Sequence, residues 1–285
     1  MSDSLLFSSI GRKPLPQAND YEGRIALAME GSGDISSLPR VQDAGKIIDD
    51  GKRRWQTMFN GVQVLADGYY GEWMTRLITA LKGHHEPQEE RVFYSLVEQL
   101  PEAPTMIELG AYWAYYSIWL KKRRPFARAI IVEPDPTRCA VGIANAARNA
   151  VAVSVEIAGI QTGGGYLALS AADVQNVALC VPAVSVQELM SRQGLERLTV
   201  LHADIQGAEE ALLTQARPLL ERRSIDYLLV STHSEQLHSR CLNIFRDVGY
   251  RIIAEHTPEE SYSFDGLIAV QSTDTPILEV SITKR

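Results

Sequence analysis

Thr105-Met-Ile-Glu-Leu-Gly-Ala-Tyr-Trp-Ala-Tyr-Tyr-Ser117, followed by Ala129-Ile-Ile-Val-Glu-Pro-Asp-Pro136, is the stretch that decides the fold. Its first apolar run ends at Gly110, where the backbone can turn sharply and approach a ligand. A helical pattern follows and ends in the basic run Lys121–Arg124, which suits the negative end of a helix dipole. The second apolar run ends in an acid, Glu133. The stretch therefore predicts two successive strand–turn–helix units.

The spacing of the glycine turn and the acid is typical of a nucleotide site. In a Rossmann-type half-site, a glycine turn follows one strand, and an acid about 20 residues later holds a ribose diol. The fingerprint is incomplete here, because Ala114 stands about where the third glycine is expected. Buried strands that merely end in Gly and in Glu would give the same spacing. On spacing alone, a nucleotide site and a purely structural turn both remain open.

Composition limits the class of protein. The chain has 285 residues, a formal net charge of −7 and 45% hydrophobic residues, which suits one large α/β domain with a smaller appendage. The acidic balance argues against a nucleic-acid partner, since that affinity comes mostly from clustered Lys and Arg. Three scattered cysteines, Cys139, Cys180 and Cys241, show neither a disulfide framework nor a Cys/His metal spacing.

The sequence shows no targeting or membrane segment. Its first residues lack the basic start and the long apolar core of a signal peptide. No apolar run approaches the roughly 18 residues needed to cross a bilayer. We therefore expect a soluble, cytoplasmic protein without a membrane partner, and a homo-oligomer is compatible with these features.

The remaining pattern predicts an N-terminal helix-and-hairpin cap over residues 1–87 and a sheet domain over residues 88–285. Asn60-Gly61 between apolar runs indicates a hairpin at about Thr57–Leu65. The predicted helices are Tyr21–Met29, Arg40–Asp49, Glu72–Leu81, Gln88–Leu100, Tyr115–Arg124, Pro136–Asn149, Val186–Arg192, Ala208–Glu221 and Glu235–Val248. The adjacent His84 and His85 lie in a predicted loop, where we expect them to be exposed to solvent.

Strands and helices alternate after Thr105, which predicts βαβ units. The predicted strands are Thr105–Leu109, Ala129–Glu133, Val153–Ile157, Leu198–Asp204, Tyr227–Thr232, Arg251–Glu255 and Gly266–Gln271. No helix separates the last two, so they should pair antiparallel, and residues 161–186 should form edge strands and turns. The expected fold class is α/β: a Rossmann-like, seven-stranded, mostly parallel doubly wound sheet with an antiparallel last strand, plus the N-terminal cap.

Ligands of open parallel sheets bind beyond the carboxyl ends of the strands, at the switch point of the topology. The segments at those ends are Glu108-Leu-Gly-Ala111, Glu133-Pro-Asp135, Ala158-Gly159, Asp204-Ile-Gln-Gly-Ala-Glu209 and Ser231-Thr-His-Ser234. Glu108 lies inside its strand, where an unpaired charge would be costly. It should reach a polar partner at the strand tip, and pairing with an Arg or with backbone amides is the alternative.

Three blocks resemble the FkbM family of S-adenosylmethionine-dependent methyltransferases. Residues 107–117 resemble the family's glycine-turn block, although Ala114 replaces its usual glycine. Residues 132–136, with Asn145 and Asn149 on the next helix, resemble its ribose-binding block. Asp204-Ile-Gln-Gly-Ala-Glu209 resembles its Asp-x-x-Gly-x-Glu block. The likeness covers residues 88–271 and implies a class I methyltransferase that uses S-adenosyl-L-methionine.

The resemblance also implies a set of cofactor contacts. Gly110 and Ala111 would approach the methionine moiety, with Glu108 near its ammonium or sulfonium, and Ser117 belongs to the same block. Glu133 would take the ribose hydroxyls. The contacts implied around the adenine are those of Pro134, Asp135, Ala158 and Gly159.

Methyl transfer to a hydroxyl needs positioning, and either a base or a metal ion such as Mg²⁺. The candidates are Asp204, His233, Glu209 and His202, with Asp204 first, as base or as metal ligand. His202 shares a strand face with Asp204, although a satisfied core histidine is the alternative. Glu209 begins a helix and would favour its positive end. Whether a metal binds here stays open.

The acceptor expected by family analogy is a hydroxyl of a sugar or a glycosylated small molecule. Tyr69, Tyr70 and Trp73 could form a lid over it, whereas Tyr115, Tyr116 and Trp119 should pack in the core. Two other functions remain as alternatives: an NAD(P)-dependent oxidoreductase, and a non-catalytic Rossmann module that binds a cofactor or a partner.

Overall fold

A computed structural model of the chain describes residues 15–161, 164–170 and 178–285. Strands β1 to β13 are Ile47–Asp49, Arg54–Thr57, Gln63–Leu65, Thr105–Leu109, Arg128–Val132, Ser154–Glu156, Gly159–Ile160, Tyr166–Ser170, Ala178–Val184, Leu198–Ala203, Ile225–Thr232, Arg251–His256 and Gly266–Gln271. Helices α1 to α8 are Tyr21–Glu30, Glu72–Ala80, Pro87–Gln99, Tyr115–Arg123, Pro136–Arg148, Val186–Arg192, Glu209–Glu221 and Glu235–Asp247.

Seven strands form the main sheet, in the order β12-β13-β11-β10-β4-β5-β6. Neighbours from β11 to β6 run parallel, and β13 runs antiparallel to both β11 and β12. The predicted Rossmann-like fold class is confirmed, including the antiparallel pair at the end. The chain leaves β4 toward β5 and β6 and returns to β10 on the other side of β4. The switch point therefore lies between β4 and β10.

Side chains alternate between the two faces of this sheet, as the pleat of a strand requires. In β11, Leu229 belongs to one buried cluster with helices α3 and α4, whereas Leu228 belongs to a second cluster with α6, α7 and α8. The sheet is thus covered on both sides. Tyr115, Tyr116 and Trp119 lie in the first cluster, at most 3% exposed, which confirms their predicted place in the core.

The insert after β6 contributes a second, three-stranded sheet in the order β7-β9-β8. Strand β9 pairs parallel with β7 and antiparallel with β8. This fits the predicted edge strands, and the part of the prediction that falls on residues 162–163 and 171–177 lies outside the described residues.

The predicted hairpin is present in the cap as β2 and β3, and β1 adds a third antiparallel strand. Gly61 has a φ of 80° at the turn, where Met58 donates its N–H to the carbonyl of Val62 at 2.7 Å. The predicted helix over Arg40–Asp49 is wrong. Gly45 donates its N–H to Thr57 at 2.7 Å, and this pairing with β2 overrides a weak helical pattern.

Asn145 of α5 and Asn149, the residue that follows this helix, hold the cap against the sheet domain. Asn145 accepts the backbone N–H of Leu65 at 2.7 Å, and Asn149 accepts that of Gln63 at 2.9 Å. Asn145 also donates to the carbonyl of Trp113 at 2.9 Å. A domain division at residue 87 stays a prediction. Among the described residues, no helix is both long and apolar enough to cross a membrane.

Candidate functional site

A cavity of about 400 Å³ lies at the carboxyl ends of β4, β5 and β10, at the switch point. It brings together most of the residues predicted to bind a cofactor. Those on its wall are Glu108, Gly110, Ala111, Glu133, Pro134, Ala158 and Gly159, and the candidates His202 and Asp204 lie there too. The position agrees with the general rule for open α/β sheets.

Gly110 joins the ends of β4 and β10 at the floor of this cavity. Its φ is 70°, and a Cβ placed on it would lie 1.7 Å from the carbonyl oxygen of Asp204. The N–H groups of Gly110 and Ala111 both donate to the carbonyl of Val132, at 2.9 and 3.1 Å. Only glycine fits here, because both its backbone conformation and its contact with Asp204 exclude a side chain.

Glu133 follows β5 and is held by two backbone amides. Its Oε2 accepts the N–H of Tyr112 at 3.1 Å, and its Oε1 accepts that of Asp135 at 3.0 Å. Each oxygen keeps a lone pair for a further donor. Burial raises the pKa of Glu133, and the two amides act against that shift. The carboxylate is thus fixed on the cavity wall with capacity for two more hydrogen bonds.

Asp135 has a local role in the structure. Its side chain accepts the N–H of Thr137 at 2.8 Å and so caps α5 at its N-terminus. A contact with the adenine stays a prediction for Asp135.

Glu108 accepts the backbone N–H of Ser117, in the first turn of α4, at 2.8 Å. One carboxylate oxygen of Glu108 is therefore paired with a backbone amide, which is one of the alternatives stated above. Burial raises the pKa of Glu108, and His202 and the Ser117 N–H act against that shift. Ser117 is fully buried and contributes this backbone N–H.

His202 is a member of a buried ion pair on the cavity wall. Its Nε2 lies 2.6 Å from Oε1 of Glu89 on α3, and Ser231 donates to the other oxygen of Glu89 at 3.3 Å. Burial acts to lower the pKa of His202, but Glu89 outweighs it and the pKa is raised. Sequence reasoning missed Glu89. The available signal was the run of acids, Glu86, Glu89 and Glu90, that opens α3.

Asp204, Glu209 and His233 come together just beyond β10 and β11. His233 places Nε2 3.1 Å from Asp204 and Nδ1 3.1 Å from Glu209. Burial acts to lower the pKa of His233, but the two carboxylates outweigh it and raise the pKa to about 11. Burial acts to raise the pKa of Asp204, and His233 outweighs it, so that this pKa is lowered. At neutral pH the cluster is an imidazolium between carboxylates.

Glu209 also closes the loop that follows β10. Its Oε1 accepts the N–H groups of Ile205 at 3.2 Å and of Gly207 at 3.1 Å. Glu209, fully buried, begins α7, where a negative charge suits the helix dipole. The carboxylate therefore positions the loop that presents Asp204 to the cavity.

The same three residues offer one ligand atom each within 4.8 Å of one another, which could hold an ion. Mg²⁺ prefers oxygen ligands, and a metal-bound imidazole must be neutral. The two carboxylates raise the pKa of His233 to about 11, so an ion that bound here would have to displace a proton from this ring.

The expectation that His84 and His85 are exposed is wrong. They are 0% and 3% exposed, respectively. Glu90, in the first turn of α3, binds Nδ1 of both rings, that of His85 at 2.8 Å, and Glu86 lies 3.1 Å from Nε2 of His85. The predicted loop between the two helices is present, but a loop in the chain does not decide exposure. A buried acid on the next helix draws both rings inward.

A second cavity of about 240 Å³ adjoins the first. The two cavities share the wall residues Tyr69, Tyr70, His85, Glu86 and Gln206. The second is otherwise lined by Arg24, Ala28, Trp73, Met74, Leu77, Tyr262, Ser263, Phe264 and Asp265. The three predicted lid residues, Tyr69, Tyr70 and Trp73, thus lie on its wall. Sequence reasoning missed Asp265, because residues 255–265 read only as a connection between two strands.

Several solved structures are similar to part of this chain. Precorrin-6y C5,15-methyltransferase from Geobacter metallireducens GS-15 has 13% identity and a TM-score of 0.43, covering 64% of this chain and 88% of that one. TrmK from M. capricolum, solved with S-adenosylhomocysteine, has 10% identity and a TM-score of 0.43, covering 64% and 68%. The ligands and substrates in these names belong to those proteins. No protein-family model and no curated protein sequence matches this chain.

Proposed function

We propose that this chain is an S-adenosylmethionine-dependent methyltransferase that acts on a hydroxyl group. The observation that carries the proposal is the pair of buried carboxylates, Glu108 and Glu133, on one cavity wall at the ends of adjacent strands. The resemblance to the FkbM family assigns these two positions to the methionine and ribose ends of the cofactor. The cavity, at about 400 Å³, is of the size that holds a small-molecule cofactor.

Glu133 suits the ribose end. Its two oxygens are fixed by the amides of Tyr112 and Asp135, and each retains a lone pair toward the cavity. Vicinal hydroxyls are donors with matching spacing. Pro134, Ala158 and Gly159 supply an apolar wall beside Glu133 for a flat base.

Glu108 suits the methionine end, because a carboxylate on the cavity wall favours a cationic group. The ion pair of His202 and Glu89 lies beside it, since His202 is in register with Glu108 on the adjacent strand. These groups would orient the amino-acid end of the cofactor and exclude water around it.

The bound cofactor supplies a methyl group already activated by a sulfonium, so positioning provides much of the rate. Asp204 lines the first cavity, and Gln206, on the wall that the two cavities share, donates to its Oδ1 at 2.8 Å. With its lowered pKa, Asp204 is a carboxylate that accepts a hydrogen bond from an acceptor hydroxyl and orients it. His233 and Glu209 hold Asp204 and its loop in place.

The acceptor proposed from the resemblance is a sugar or a glycosylated small molecule. Aromatic faces pack well against the apolar faces of sugar rings, and Tyr69, Tyr70 and Trp73 line the second cavity. The net charge of −7 supports a small acceptor over a nucleic acid.

Calorimetric titration with S-adenosylmethionine, S-adenosylhomocysteine and NADH tests the proposal against an oxidoreductase and a binding module. We expect both adenosyl compounds to bind at one site and NADH to bind far more weakly. We also expect S-adenosylhomocysteine release with hydroxylated acceptors, unchanged by EDTA. Binding of NADH without binding of S-adenosylmethionine would overturn the proposal. Full loss of turnover in EDTA would show that the reaction requires a metal ion.

A further inference from the structure

Asp265 stands apart from the other acids of the site. It lies in the connection between β12 and β13, one residue before β13 begins, and it lines the second cavity. Its carboxylate is 3.6 Å from Nε2 of His233, which is farther than the 3.1 Å contacts of Asp204 and Glu209 with the same ring. Asp265 therefore borders the charged cluster and remains directed at the smaller cavity.

The backbone that presents Asp265 is strained. Phe264 has a φ of 86°, a left-handed conformation that a bulky L residue rarely adopts. Strain of this kind persists where surrounding contacts enforce it, and it concentrates at functional sites. The ring of Phe264 packs under the guanidinium of Arg24, 4.2 Å from the ring centre. This contact fixes the position of the residue before Asp265.

The shape of the second cavity limits what it can hold. About 240 Å³ is enough for a single ring with substituents. Aromatic side chains form part of its wall, and the guanidinium of Arg24 also packs 4.4 Å from the ring centre of Trp73. Arg24 thus lies against two aromatic rings, Trp73 and Phe264, and makes that part of the wall rigid. A cavity of this size and lining fits one flat or chair-shaped ring.

We propose that the second cavity binds a hydroxyl-bearing single ring as methyl acceptor, and that Asp265 is the base that takes the hydroxyl proton. This inference rests on the proposed methyltransferase function. The acceptor O–H proton passes to the Asp265 carboxylate, and the oxygen forms a bond to the methyl carbon. The carbon–sulfur bond breaks with its electron pair going to sulfur. The products are a methyl ether, a neutral thioether and a proton, which Asp265 returns to solvent.

The surroundings of Asp265 suit it to this task at neutral pH. Burial raises its pKa to about 7, and Asp204, Glu86 and Glu89 act in the same direction, while His233 opposes them. Arg24, which packs on the neighbouring Phe264, is also near enough to interact with its charge. A base is most effective when its pKa lies near the working pH.

The other candidates are poorer bases. His233 is an imidazolium, and Asp204 has a lowered pKa because of the His233 contact. Glu209 is fully buried and accepts two backbone amides of its own loop. His202 has its Nε2 in the pair with Glu89. Among these acids and histidines, Asp265 combines access to the acceptor cavity with a pKa near neutrality.

The test compares Asp265→Asn, Asp265→Glu and the control Asp274→Asn, in which the same change is made at an exposed aspartate. Calorimetry with S-adenosylhomocysteine reports cofactor binding, which all variants should retain. ¹³C NMR of aspartate-labelled protein, with Asp265→Asn identifying the signal, should show a carboxyl that titrates near pH 7. Turnover is measured as S-adenosylhomocysteine release from a panel of single-ring phenols, cyclitols and monosaccharides, across pH.

We expect wild-type kcat to rise with pH through about 7, following ionisation of Asp265. Asp265→Asn should lower kcat by about 100-fold or more and remove the rise of kcat with pH. Asp265→Glu should recover part of the lost kcat. Asp274→Asn should keep the wild-type kcat. A comparison of turnover among the phenols, cyclitols and monosaccharides of the panel shows which kind of ring the enzyme accepts.

Three results would overturn the inference while leaving cofactor binding intact: turnover by Asp265→Asn at the wild-type rate, a carboxyl that titrates below about pH 5, or no turnover of any ring in the panel. By contrast, a wild-type protein that fails to bind either adenosyl compound contradicts the proposed function itself.

Discussion

Gly110 shows how one residue fixes the site. Its left-handed backbone and the nearby Asp204 carbonyl leave no room for a side chain. Two residues in the same loop, Tyr112 with a φ of 38° and Ala114 with a φ of 57°, share that conformation without being glycine. Ala114 stands where the resembling family has glycine, and its φ explains that preference. The sequence correctly predicted the turn. It did not reveal that the backbone at Ala114 is left-handed, which only the fold shows.

Gly110→Ala should destabilise the fold by at least about 2 kcal/mol, because the left-handed conformation costs about 1–2 kcal/mol and the Cβ must displace backbone. It should also abolish S-adenosylhomocysteine binding. Gly51→Ala is the matched control, since Gly51 has a φ of 81° with nothing within 4 Å of its Cβ position. Urea unfolding and calorimetry measure both effects. Equal losses in the two variants would mean that the Asp204 contact contributes nothing.

The charge on His233 should appear in the pH dependence of stability. Its pKa rises from 6.5 in a free histidine to about 11 in the fold. A raised folded pKa means that the stability from this pairing is complete below about pH 6.5 and is lost as pH rises through about 11. His233→Gln should therefore lower Tm most at about pH 6 and least at about pH 11. A difference that stays constant over this range would refute the imidazolium assignment.

At the scale of elements, the strands of the main sheet could be predicted from the sequence. Buried strands appear there as short apolar runs between helical patterns. Strand β4 and strand β13 have the predicted bounds, Thr105–Leu109 and Gly266–Gln271. The cap was harder, because weak local patterns there give way to tertiary pairing. Strand β1 lies where a helix was predicted. His84 and His85 are buried because both bind Glu90 of α3.

Asn145→Ala should loosen the cap from the sheet domain. The change leaves the Leu65 N–H and the Trp113 carbonyl without their partner in a buried place. Each such loss costs about 1–3 kcal/mol, so we expect about 2–6 kcal/mol in total. Guanidinium unfolding measures it, with Asn243→Ala on the exposed side of α8 as control. If both variants unfold at the same denaturant concentration, the asparagine does not hold the cap.

At the scale of the molecule, the cap completes a site whose floor belongs to the sheet. The first cavity could be predicted from the sequence, because its residues follow consecutive strands of a parallel sheet. Of the second, only the aromatic residues Tyr69, Tyr70 and Trp73 were predicted, since Arg24 and Asp265 are far apart in the chain and meet them only in the fold. No local pattern signals such a meeting. The cofactor end of the site was thus foreseeable, whereas the charged groups of the acceptor end were not.

The most direct test of the account is calorimetric titration of S-adenosylhomocysteine into the wild type, Glu133→Gln and the exposed control Glu196→Gln. Replacing one Glu133 oxygen by an amide removes a charge-assisted hydrogen bond to the ribose, worth about 1.5–3 kcal/mol. We predict one site in the wild type, a Kd about 10- to 150-fold weaker in Glu133→Gln, and an unchanged Kd in Glu196→Gln. No binding to the wild type, or wild-type affinity in Glu133→Gln, would contradict the account.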